Sequence, residues 1–482
     1  MPQTKSHQCG TTARACASYV AAAMSLFAIH CGPAHAVTNV VLFVADDLGW
    51  NDVGYHGSEI RTPTLDRLAA EGVVLGRFYA HPLCSPTRGA LMTGRSPLKT
   101  GVLIPFEPWF STGLPSSEKL LPEYYKEAGY QTFAVGKWHL GPNHVMYHPQ
   151  NRGFDHYYGH LGGFINHELH TIWRGVDWQR NGTTVHEEGY ATDLIADEAV
   201  RLIHERDTEA PLFLYVAFNA PHSPLQAPAD AIAEYSGIRD LDRRIFAAMV
   251  TEMDRGIARV LAALDEEGLN DDTLVMFMSD NGGEENLGAD NGPFRDGKGR
   301  PWEGGIHVPA LMRLPGVLDA GSRYDGIVTV EDVLPTFMAA TEVDAEWPQP
   351  LDGINLWPAL SSGEAVEERA VVLARHNHQQ YSIAYIDEEW KLVQLPDPAT
   401  GMLRYSLFRI AEDPYEENDL AAERTDVFER LIGELDALPR APVVGMDDTP
   451  IPTATGLGGP MSLPPDNRPP NRQPYAESAR TD

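Results

Sequence analysis

The chain has 482 residues, 43% of them hydrophobic and 9% aromatic, which is enough to fill a sizeable core and excludes global disorder. Acids outnumber bases by 68 to 37, for a formal charge of −31, which argues against nucleic acid and anionic membrane surfaces as partners. An anionic substrate then needs a locally basic pocket, since screening over ~8 Å confines the bulk repulsion to short range.

In chain order, Lys5 and Arg14 precede an apolar, Ala-rich run over 17–29, and Ala34-His35-Ala36 fits a small-x-small cleavage site. Residues 1–36 thus read as a secretory signal peptide, predicting export (periplasmic or extracellular) after cleavage near Ala36. The apolar run is shorter than the ~20 residues of a spanning helix, so no stable membrane insertion is expected. Cys9, Cys16 and Cys31 fall in this leader, which leaves Cys84 alone in the mature chain. Exported proteins normally use cysteines in pairs, so a single one argues for chemistry.

The apolar run 40–45 predicts a strand buried on both faces, ending in Asp46-Asp47. A capped helix follows over 62–70, then a strand over 73–79 that leads to Leu83. Cys84 stands just before a predicted helix, with Ser85 as its cap and Pro86 at its first position. A group at Cys84 feels the helix's positive end, and Arg88, one turn on, can reach back to it. A helix over 120–128 and a strand over 132–135 lead to Lys137 and His139. Residues 144–188, rich in His, Gly, Tyr and Trp, read as loops over a pocket.

A helix over 192–205 and a strand over 212–218 lead to His222. A long helix over 241–267 and a strand over 273–278 lead to Asp280 and Asn281. A Gly-rich loop over 293–305 carries Lys298, and another strand spans 308–314. This alternation predicts a doubly wound, mostly parallel α/β domain over 37–364. Short strands at 371–373, 381–386, 390–395 and 407–408, with a helix over 426–438, predict a small antiparallel subdomain over 365–440. Residues 441–482 form a Pro/Gly-rich tail, read as a strap or a disordered end.

Asp46-Asp47, Lys137 with His139, His222, and Asp280-Asn281 all sit just past the C-terminal ends of predicted strands, the edge where open α/β sheets bind ligands. Asp46, Asp47, Asp280 and Asn281 are oxygen ligands of the kind Ca²⁺ takes, with Mg²⁺ less suited to an irregular protein site. Taken singly, Asp-Asp also fits a loop cap and Asn281-Gly282 a turn. Their joint position behind two buried strands favours metal. Arg88, Lys137 and Lys298 are fixed cations able to hold an oxyanion, although a Gly-Lys-Gly loop equally fits a solvated Lys298. His139 and His222 are the candidate proton carriers.

Cys84-Ser85-Pro86-Thr87-Arg88, followed by Thr93-Gly94-Arg95, resembles the signature of the type I, formylglycine-dependent sulfatases. The stretches 45–54, 82–84, 135–141 and 302–305 are most similar to those of the family's arylsulfatase B (N-acetylgalactosamine-4-sulfatase) branch. The resemblance implies an alkaline-phosphatase-like fold and formylglycine made from Cys84 by a maturation enzyme. It also implies Ca²⁺ held by Asp46, Asp47, Asp280, Asn281 and the modified Cys84. Arg88 and His139 would steady the aldehyde hydrate, while Lys137, His222 and Lys298 would hold the sulfate of a sulfated carbohydrate. His222 or Lys298 would protonate the leaving oxygen. Two departures stand out. His307 takes the place of an arginine found in many relatives, and 144–188 does not follow the arylsulfatase B pattern, so the sugar is not carried over. The alternatives are a phosphodiester or phosphonate monoester hydrolase on the same scaffold, and a sulfoglycan-binding protein whose Cys84 stays a thiol.

Overall fold

The run Asn-Val-Val-Leu-Phe-Val-Ala becomes β1 (Asn39–Ala45), buried at every residue and central in a ten-stranded sheet. The computed structural model describes residues 39–447, apart from 173, 174 and 378. The expected leader, and the tail beyond 447, lie outside the described residues. The other main strands are β2 (Val73–Leu75), β3 (Gln131–Lys137), β4 (His156–His160), β5 (Leu212–Ala217), β6 (Thr273–Ser279) and β7 (Ala310–Arg313). Five of them, in the order β6-β1-β5-β3-β4, run parallel, and β7 and short outer strands add antiparallel pairs at both sides.

Because successive side chains point to opposite faces, β1 feeds two cores. Val40, Leu42 and Val44 pack with α2 (Cys84–Thr93) through Ala90, Leu91 and Met92. Val41, Phe43 and Ala45 pack with α1 (Pro63–Glu71), α3 (Ala191–Glu205) and α4 (Leu241–Glu266). Helices on both faces make the sheet doubly wound. Beyond it, β8 (Val371–His376), β9 (Tyr381–Ile386), β10 (Lys391–Pro396) and β11 (Leu403–Phe408) form a four-stranded antiparallel meander. Its helix α5 (Thr425–Asp436) buries Val427, Leu431 and Leu435 against it. Up to residue 447 the tail is a strap, with Ala441 and Val444 donating to the carbonyls of Leu98 and Gly101.

Two expectations are corrected. The strand expected over 73–79 is two strands, because Gly76 turns the chain out of the main sheet and Phe78–Tyr79 pairs instead with Val328–Thr329. The stretch read as loops contains β4, which pairs with β3 through Lys137↔His160. Its sequence, His-Tyr-Tyr-Gly-His, has neither an apolar run nor alternation to announce a strand.

Candidate active site

The parallel strands deliver their chemistry to one edge. Asp46 and Asp47 follow β1, Asp280 and Asn281 follow β6, Lys137 closes β3, and His222 follows β5. Backbone bonds fix the registers, with Asp46 N donating to Ala220 O (3.1 Å) and Asp280 N to Ala45 O (3.0 Å). Asp47 and His139 both adopt left-handed backbone, with φ of 67° and 60°, a conformation costly for side-chain-bearing residues.

Helix α2 begins at Cys84 itself, with Leu83 as an uncapped N-cap residue, so the expectation that Ser85 caps it is not met. Ser85 Oγ instead donates to His139 O (2.8 Å) and accepts from Phe106 N (3.1 Å), tying the nucleophile turn to two loops. Cys84 is a free thiol and almost fully buried.

Around it lies a buried charge network. Lys137 Nζ donates to both oxygens of Asp46 at 2.8 and 2.7 Å. Arg88 Nε lies 2.9 Å from Asp280 Oδ2 and its Nη2 2.8 Å from the same oxygen, while Nη1 reaches Lys137 O (3.1 Å) and Tyr215 Oη (3.3 Å). Lys298 Nζ donates to Asp47 Oδ2 (2.6 Å) and meets His222 Nε2 at 3.0 Å. Asn281 Nδ2 donates to Asp47 Oδ1 (2.7 Å), leaving its own buried Oδ1 without a donor. Every predicted site residue therefore converges here. His139 is buried among cations with Nδ1 unpartnered, and Arg88 is directed at Asp280 rather than straight back to Cys84.

Burial dominates the protonation states. It pushes the Cys84 thiol up to about 12, against the pull of Lys137. It also drives His139 and His222 well below the ordinary imidazole range, so both are neutral near pH 7. Burial opposes ionisation of Asp47, but His222, Lys298 and Lys137 together overcome it and hold that carboxyl low. Asp46 is raised by burial, and by Asp280 and Asp47, despite Lys137.

That donor set fits a hard divalent cation. Three buried carboxylates crowd one another, and Asn281 Oδ1 is an oxygen with nothing to accept. Ligand atoms of Asp46, Asp47, Cys84 and His222 also lie within 4.8 Å of one another. A cleft of about 120 Å³, lined by Leu83, Cys84, Phe106, His139, His222 and Lys298, opens on the group. Gly163 belongs to its wall, where a side chain would strike His139. Reading motifs at strand ends missed Tyr215, whose hydroxyl accepts from Arg88; it is an inward position of an apolar strand, and only its phenol marks it as different.

A ten-stranded, mostly parallel sheet with cations and carboxylates gathered at its carboxyl edge defines an alkaline-phosphatase-like α/β architecture. Within it, the sulfatase family model matches residues 38–343, and the chain belongs to the sulfatase family. It is similar to arylsulfatase J of Mus musculus, 37% identical over 337 residues, covering 67% of this chain and 56% of that protein. It is also similar to the N-acetylgalactosamine-6-sulfatase of Homo sapiens, 35% identical over 68% of this chain and 67% of the relative. The solved structure of Ps i-CgsB in complex with k-i-k-neocarrahexaose superposes with a TM-score of 0.78, at 36% identity, over 83% of this chain and 92% of that one. Thus the match spans a little over half the length of arylsulfatase J.

Proposed function

We propose that the protein is an exported sulfuric ester hydrolase that removes sulfate from a sulfated sugar, using formylglycine made from Cys84 and a bound Ca²⁺. The observation that carries this reading is the convergence of Cys84, three carboxylates and three cations on one cleft at the sheet's carboxyl edge. A carbohydrate substrate is supported by relatives that are an N-acetylgalactosamine-6-sulfatase and a structure holding a neocarrahexaose. Export rests on the 1–36 leader pattern; none of the described helices is long and apolar enough to cross a membrane.

An unmodified thiol held near 12 stays protonated and is a poor nucleophile at neutral pH, which favours conversion of Cys84 by a maturation enzyme. The aldehyde hydrate, once made, supplies an oxygen nucleophile at the start of α2, where the helix's positive end favours developing negative charge. Asp46, Asp47, Asp280, Asn281 and the group at 84 would hold the Ca²⁺, which when bound adds positive charge beside the sulfate. Arg88, clamped by Asp280, lies beside the group at 84 and, with His139, would steady it. Lys137 and Lys298 hold the sulfate oxygens in a site that excludes bulk water, where such contacts act most strongly.

His222 Nδ1 donates to Ser223 O (2.7 Å), which leaves Nε2 as the acceptor facing Lys298. His222 or Lys298 would protonate the leaving sugar oxygen, from a pair in which Asp47 keeps the ammonium charged and burial keeps the imidazole neutral.

The test is sulfate release from N-acetylgalactosamine sulfates and larger sulfated oligosaccharides by protein co-produced with a formylglycine-generating enzyme. Cys84→Ala should lower turnover at least about a thousandfold without loss of fold; unchanged turnover in that variant removes the mechanism. Faster cleavage of a matched phosphonate or phosphate ester would move the protein to the neighbouring hydrolase class. Binding with no turnover of any ester by fully converted protein would leave it a sulfoglycan binder. Asp280→Ala should release metal, read by elemental analysis of the purified protein.

A further inference from the structure

In a chain of charge −31, most described arginines face a carboxylate. Arg375, half-buried on β8, does not. Among the described residues its guanidinium makes one hydrogen bond, from Nη1 to Gly299 O (2.8 Å), and its Nε is buried without an acceptor. The charged group that presses on it is another cation, Arg300, which together with burial holds the guanidinium below its usual range. Arg152, buried and also lacking a carboxylate ion pair, shows how a structural arginine is satisfied: its guanidinium donates to the carbonyls of Leu114, Pro115 and Glu118. Arg375 has no such set.

Its place is equally specific. Gly299 follows Lys298 directly, and Arg375 Nη1 lies 2.7 Å from where a Cβ on Gly299 would stand, with Leu83 Cδ2 3.9 Å from the same point. Leu83 and Lys298 line the cleft over Cys84. The missing side chain of Gly299, a residue with φ of +79°, is what lets a guanidinium from the second sheet reach the cleft's rim.

We propose that Arg375, assisted by the exposed Arg300, forms a subsite for a second sulfate carried by the same glycan, next to the sulfate that enters the Cys84 cleft. The inference rests on the sulfatase reading above. Arg375 Nη2 is left without a hydrogen bond among the described residues and can give a sulfate oxygen charge-assisted hydrogen bonds. Arg375 also adds positive charge, which an acidic protein needs to admit a multiply charged substrate, to a rim where Arg300 is offset by Asp296 and the cleft wall carries Glu107.

The test uses full-length protein with its metal, bearing Cys84→Ala so that ligands are not turned over. Affinities are measured calorimetrically for matched disaccharides carrying one sulfate, two sulfates, or one sulfate and a uronate carboxylate. The disulfated ligand should bind about tenfold tighter than the monosulfated one. Adding Arg375→Ala should bring that ratio to within about twofold, with Arg375→Lys in between. Equal affinities in the parent protein, or a preference that survives both substitutions, overturns the proposal. So does a preference for the uronate ligand alone. Sulfate release by Cys84-containing protein is scored separately. Release without the preference removes the subsite and leaves the sulfatase reading; the preference without release removes that reading and leaves the subsite.

Discussion

Lys298 illustrates how one side chain can serve a carboxylate and an imidazole at once. It neutralises Asp47 and stands within hydrogen-bond distance of His222 Nε2, so under the proposed mechanism its loss would remove a sulfate donor and a candidate proton donor. Lys298→Ala should lower kcat by about 10²–10³, the usual cost of one preorganised donor, and rates on matched sulfate esters check it. His307 behaves differently. Its Nδ1 meets Glu303 Oε2 (2.9 Å) and its Nε2 meets Gly76 O (2.9 Å), a buried structural role away from the cleft. His307→Ala should cost about 1–3 kcal/mol in urea unfolding while leaving kcat nearly unchanged. At this scale the site was legible wherever a charged residue interrupts an apolar strand at its end, as at Asp46, Asp280 and Lys137. Arg375 was not, because its relevance depends on which loop the second sheet abuts, and no local pattern encodes that.

At the scale of elements, the strands beneath the site approach closely only because glycines lie between them. Gly136, with φ of +101°, would place a Cβ 1.9 Å from Ala217 O, and one on Gly159 would fall 2.2 Å from Gly136 O. Gly136→Ala should therefore destabilise the fold by about 2–4 kcal/mol, measured by chemical unfolding, and should lower activity as well because Lys137 is its neighbour. The same crowding explains why β1, β5 and β6 could be read from sequence and β4 could not. Strands covered on both faces appear as unbroken apolar runs, whereas β4 is held by its register with β3 and buries tyrosines and histidines. Helix α2 was placed correctly to within a residue or two, but its cap was not, since Ser85 answers to His139 and Phe106 across the fold rather than to its own helix.

Across the whole molecule, the two sheets are joined by a buried ionic cluster. Lys391 Nζ on β10 lies 2.7 Å from both Glu303 Oε1 and Glu416 Oε1, and Glu416 Oε2 accepts from Glu303 N (2.8 Å). Two carboxyls share one ammonium: burial, with Glu303 nearby, pushes Glu416 up to about 7, while Lys391 and His307 overcome burial and hold Glu303 below the usual carboxylate range. The folded protein then holds the Glu416 proton more tightly than the unfolded chain, where Glu ordinarily titrates at 4.5. Its contribution to stability is full below pH 4.5, is lost as pH rises to about 7, and levels off beyond. Glu416→Gln should flatten that decline, so thermal midpoints of variant and wild type should diverge in the variant's favour between those pH values. A pH-independent gap would sink the assignment.

Asp47 and His139, two residues of the candidate site, sit in backbone conformations that glycine would occupy at lower cost. Each site therefore subtracts about 1–3 kcal/mol from stability. A library screened for thermal resistance alone should enrich glycine at 47 and 139, and should lose turnover in the same clones. Selection for durability and selection for chemistry pull these two positions apart, and the chain as it stands records which of them prevailed.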